Sequence, residues 1–120
     1  MRIKTSELQR VSLRWAVAKC EGFSPFTDGI SWIIEDKWAS GTYKQLPYYS
    51  TDWADGGPIK TRERISTIIK REGRWVAIIF DPNDEPTYTM LADDELTAAM
   101  RCYVASKLGE YVDVPDEVQS

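Results

Sequence analysis

The sequence predicts a single α+β domain, with a central, mostly antiparallel sheet and two main helices arranged as an α-β-α sandwich. Three observations predict it. Residues 64–80 read as two β-rich arms joined by Arg71-Glu72-Gly73-Arg74, and 5–21 and 93–108 both carry apolar side chains at three-to-four-residue spacing. The second arm, Trp75-Val76-Ala77-Ile78-Ile79-Phe80, is apolar at six successive positions, which suits a strand covered on both faces and so predicts helices on either side of the sheet. A chain of 120 residues with 42% apolar and 28% charged side chains has the length and composition of one folded unit. The domain is expected to span 1–115, with 116–120 a frayed acidic tail.

Thr5 or Ser6 can cap the first helix, Leu8, Val11, Trp15 and Ala18 form its buried face, and Gly22 ends it. The string GFSPFTDG at 22–29 is a turn with two exposed phenylalanines, followed by a short strand from Ser31 to Glu35. Residues 36–62, rich in Gly, Pro, Tyr and Trp, are the least regular part. After the hairpin, Asp81 to Pro86 is a loop and Thr87 to Leu91 a strand. Asp93, Asp94 and Glu95 place negative charge at the positive end of the second helix, Lys107 occupies its last turn and Gly109 stops it. Tyr111, Val112 and Val114 form a last short strand.

Composition excludes several chemistries. The chain has no histidine, which removes Ser-His-Asp and Cys-His catalysis and every His-bearing zinc site. Cys20 and Cys102 lack a CxxC partner and are expected to be buried, reduced thiols. No cofactor is called for. No apolar run is long enough to span a membrane, and no signal-peptide-like stretch is present, so the expected location is the cytoplasm. Residues 1–74 carry 13 basic and 9 acidic side chains, +4, whereas 75–120 carry 2 and 10, −8. The acidic balance disfavours non-specific duplex binding, and the basic clusters are read first as solvated faces answering the acidic half.

The densest constellation is PYYSTDWADGGPI at 47–59. Tyr49 and Trp53 offer faces for stacking, Asp52 and Asp55 accept from amines and hydroxyls, and Gly56 and Gly57 allow close backbone approach to a phosphate, with Arg62 and Arg64 nearby. The spacing matches no phosphate-loop motif. The same residues also suit a structural role, with a one-turn helix through Asp52-Trp53-Ala54, Trp53 plugging the core and Gly-Gly-Pro ending the turn. Trp15 and Trp75 are assigned to the core, and Trp38 and Trp53, in irregular segments, to contacts.

The blocks KTSEL at 4–8, LRWAVAKCEG at 13–22, YSTDWADGGPI at 49–59, AAMRCYVASKLG at 98–109 and VDVP at 112–115 resemble the NinX-like family of tailed bacteriophages and prophages. The resemblance implies a phage accessory protein made in the bacterial host cytoplasm. With no catalytic residue set, the favoured reading is a non-enzymatic binder that sequesters a small nucleotide-like ligand, such as a host immune signal, on the 47–59 loop. The alternative is a protein-interaction module that inhibits or redirects a host protein. The sheet edges of a small sandwich also leave a homodimer open.

Overall fold

The computed structural model describes residues 1–36 and 40–118. In chain order the elements are β1 (Arg2–Lys4), a 3-10 turn (Thr5–Glu7), α1 (Arg10–Cys20), β2 (Phe26–Thr27), β3 (Trp32–Glu35), β4 (Tyr43–Gln45), α2 (Trp53–Arg62), β5 (Ser66–Ile69), β6 (Trp75–Phe80), β7 (Pro86–Ala92), α3 (Glu95–Leu108) and β8 (Tyr111–Asp113). The α+β class and the single domain hold. Instead of one central sheet there are three small antiparallel ones, ordered β1-β8, β2-β3-β4 and β5-β6-β7.

The axis of the molecule is α3. Ala98, Ala99, Met100, Cys102, Tyr103 and Val104 are fully or almost fully buried, so the helix has almost no solvent face along its middle. One side lies on the β5-β6-β7 sheet and the other meets α1 and α2. The small side chains Ala98 and Ala99 let neighbouring backbones come close, and Leu8, Leu13, Val17, Tyr49, Ile59 and Ile65 complete the core around them.

The helices lie on one face of that sheet, which corrects the sandwich expectation. Strand alternation puts Thr67, Ala77, Ile79, Tyr88, Met90 and Ala92 toward α3. The Thr67 hydroxyl donates to Glu95 on α3 at 2.7 Å. The opposite face carries Ile68, Val76, Ile78, Phe80 and Leu91, and among the described residues no helix covers it. A run of six apolar residues therefore reported a central strand, not two helical layers.

Other boundaries moved for identifiable reasons. Thr5 and Ser6 do not cap α1, because the Thr5 hydroxyl donates to the Gly109 carbonyl at 2.5 Å and ties the chain start to the end of α3. The helix starts five residues later, where the Ser12 hydroxyl accepts from the Gln9 amide at 3.2 Å. The Gly-Gly-Pro run does not end a turn; α2 continues through it to Arg62. Within the segment read as irregular, α2 and β4 both form, and Trp38 lies outside the described residues. Val118 is buried in the core, so fraying does not start at Asp116. The Met1 ammonium donates to the Val114 carbonyl at 2.7 Å and to Asp116 at 3.0 Å.

Candidate functional site

The residues singled out at 47–64 do not gather into one loop. Tyr49 is 5% exposed and part of the core. Burial, with Glu21 and Asp55 close by, pushes its hydroxyl pKa up. Its ring is therefore not presented for stacking on a ligand. Gly56 is buried too, set against the Tyr49 carbonyl and Leu96, and Gly57 lies under the Trp53 ring, so neither glycine offers its backbone to a phosphate.

Both carboxylates of the segment serve its own backbone. Asp52 caps α2 by accepting from the Ala54 amide at 2.9 Å, and Asp55 accepts from the Tyr48 amide at 3.0 Å. Trp53, by contrast, is 52% exposed. Arg62 lies nine residues along α2 from Trp53, about 14 Å at 1.5 Å per residue. It is held there by Glu21 at 2.6 Å and Glu63 at 2.8 Å. Those bonds push the Arg62 pKa up, Glu21 contributing most. Arg64, with a left-handed φ of 54°, borders a separate hollow with Phe80 and Asp81. Thus, of the predicted residues, Trp53 and Arg64 are exposed beside open cavities, but the two cavities are separate.

That cavity points to residues the sequence reading passed over. A hollow of about 330 Å³ beside Trp53 is lined by Ser50, Thr51, Asp94 and Glu95. It adjoins a second, of about 370 Å³, that shares Ser50, Thr51 and Asp94 and adds Arg10, Arg74, Thr97 and Arg101. Each arginine is placed by a different device. Arg10 opens α1 with a φ of 50°, a left-handed conformation that a non-glycine residue adopts at a cost of about 1–2 kcal/mol. Arg74 is half-exposed at the start of β6 and only loosely tied to Asp93, at 3.6 Å.

Arg101, on α3, donates through Nε to the Leu8 carbonyl at 2.7 Å and through Nη1 to the Leu91 carbonyl at 2.8 Å. Burial lowers its pKa, offset in part by Asp94, yet an arginine guanidinium stays charged in the physiological range. No hydrogen bond among the described residues engages its Nη2.

The helices reinforce this arrangement. The amino ends of α1 at Arg10, α2 at Trp53 and α3 at Asp94 and Thr97 all meet the paired hollows. Farther along, they meet at a polar junction where Glu21, capping α1, accepts from Arg62 at the end of α2 and from the Tyr103 hydroxyl in the third turn of α3. The three helices therefore run in the same general direction, with the positive ends of their dipoles at the hollows. Asp93 and Asp94 add acceptors at the rim, and Asp94 itself caps α3 by accepting from the Thr97 amide at 2.8 Å. The site can hold an anion beside groups that accept from amines, next to a flat aromatic face. Among the described residues no three His, Cys, Asp or Glu side chains group to hold a metal ion.

Elsewhere, Trp15 and Cys102 belong to the interior, and Trp32, Trp75 and Cys20 are partly buried against it. Trp15 is buried and its indole N–H has no partner among the described residues. Burial pushes the Cys20 and Cys102 thiols each to about 12, so neither is a nucleophile at neutral pH.

The family model described as "Bacteriophage P22, NinX" matches residues 4–107. No curated protein matches the chain.

Proposed function

This chain belongs to the bacteriophage P22 NinX family, and from that premise we propose that it is a non-enzymatic phage accessory protein that sequesters a small nucleotide-like ligand in the paired hollows at the helix amino ends. The observation that carries the reading is the juxtaposition of three arginines, Arg10, Arg74 and Arg101, with hydroxyl side chains and an exposed Trp53 across two cavities sharing a wall. Arginine forks and helix amino ends suit phosphate oxygens. An indole face suits a base, and the carboxylates of Asp93 and Asp94 suit exocyclic amines. The polar roles first given to the glycines, Arg62 and Arg64 pass to these residues.

A sequence without histidine and with both thiols held protonated favours binding over turnover. A host signal nucleotide in the bacterial cytoplasm is the ligand that a phage protein of this kind would profit from removing. The test is a thermal melt against mononucleotides, dinucleotides and cyclic dinucleotides. A ligand at a hundred times its Kd should add about 2.7 kcal/mol of stability, several degrees in Tm for a domain of this size. Trp53→Ala and Arg74→Ala should each reduce the shift while leaving the unliganded Tm within a few degrees. A flat response to every compound at millimolar concentration would overturn the reading.

A further inference from the structure

The uncovered face of the β5-β6-β7 sheet carries apolar side chains on all three strands between oppositely charged ends. Register sets its rows: Ile68, Val76 and Leu91 lie side by side, then Ser66, Ile78 and Thr89, then Phe80 beside Pro86. Ile68 is 58% exposed, Leu91 43% and Phe80 41%. Val76 is only 7% exposed although it stands outside the main core, so it is covered by its neighbours on this face. Isolated exposed apolar residues are ordinary on a protein surface, whereas a contiguous strip across three strands marks a contact.

The charges decide what the contact is. Beyond the Ile68 row lies the β5–β6 turn, with Lys70 and Arg71 exposed against one carboxylate, Glu72. Beyond Phe80 lies the β6–β7 turn, with Asp81, Asp84 and Glu85 against Arg64, which borders the same hollow. A face with a basic end, an acidic end and apolar side chains between them complements itself. When two copies meet face to face about a two-fold axis perpendicular to the strands, the basic turn of each covers the acidic turn of the other. The Ile68 row then lies on the partner's Phe80 row, and Ile78 meets its own copy at the axis.

We propose that this face is the interface of a homodimer. Three strands at about 4.8 Å spacing and six residues at about 3.3 Å rise give a footprint of about 15 by 20 Å. With both turns added, the two copies bury on the order of 1,000 Å², the size of a weak, transient contact, so the dimer forms only as concentration rises. The paired hollows stay open in it, because they lie on the α3 side of the sheet.

Sedimentation of the full chain over a range of about 1 to 200 µM tests the proposal, and dimer is expected to accumulate across that range. Ile78→Asp, or Leu91→Lys at the more exposed position, should leave a monomer whose Tm at low concentration stays within a few degrees of the parent. Two charge variants give the arrangement its own test. K70E/R71E and D84K/E85K should each weaken self-association about tenfold or more, and a one-to-one mixture should restore it as a heterodimer, because each altered turn then meets its opposite. A chain that stays monomeric at the highest concentration, a dimer indifferent to Leu91→Lys, or a mixture that fails to restore association would overturn the proposal.

Discussion

The Gly56 backbone rests so closely on the carbonyl oxygen of Tyr49 that a Cβ built at Gly56 would collide with it, while Leu96 closes the other side at 3.1 Å. The glycine pair read from sequence as a phosphate cradle is thus one packing contact and one ordinary helical position. Gly56→Ala must displace backbone and should destabilise by about 1–3 kcal/mol. Gly57→Ala meets only the Trp53 ring, at van der Waals distance, and should stabilise by about 0.5–1 kcal/mol through its better helix propensity. Urea denaturation of the two variants separates them by sign.

Glu63 supplies a pH dependence. Its carboxylate accepts from Arg62 at 2.8 Å and faces Lys107 at 3.4 Å. These partners, Arg62 first, hold its pKa below the usual carboxylate value. A depressed folded pKa means that the contribution is present above the unfolded value, about 4.3, and is lost as pH falls through the folded one. Glu63→Gln should lower Tm at neutral pH, and the gap to the parent should close in acid. Melts from pH 7 down to pH 3 read this directly.

At the alkaline end the sign reverses. Burial raises the Tyr49 pKa, and burial with the bond to Glu21 raises that of Tyr103. Their neutral forms stabilise the fold fully below the unfolded value of about 10, and that contribution is lost as pH rises through the folded values. Absorbance titration near 295 nm should therefore show these two of the six tyrosines ionising only with unfolding. Tyr103→Phe should leave one such late step.

Trp15 packs without a hydrogen bond to its indole nitrogen. Trp15→Phe deletes a donor that bonds nothing among the described residues, so it should cost only about 1 kcal/mol, against about 3–5 kcal/mol for Trp15→Ala. Chemical denaturation of both variants measures the ratio. A large cost for Trp15→Phe would show that the indole shape, not merely an aromatic filler, is required.

What was legible in the sequence was whatever depends on near neighbours. The β5–β6 hairpin follows from β-branched arms around Arg71-Glu72-Gly73-Arg74, and the start of α3 from Asp94 acting as a cap. The α2 helix was hidden because glycine and proline oppose helix locally, and only packing of Gly56 on Tyr49 and of Ile59 in the core outweighs them. The arginines of the hollows were equally hidden. Arg10, Arg74 and Arg101 are scattered along the chain and meet only when three helix starts and a sheet end come together. A hint did exist: Arg101 interrupts the apolar run of α3 between Met100 and Cys102, where a buried helix has no reason to carry a charge unless something accepts from it.

The junction of Glu21, Arg62 and Tyr103 fixes three helices away from the hollows. The hollow end is tied as well, by Thr97 donating to the Ser50 carbonyl and Arg101 to that of Leu8. The three helices are thus fastened at both ends of a preformed cradle, and a negatively charged guest at the hollows would offset the mutual repulsion of their aligned dipoles without any part of the fold having to close.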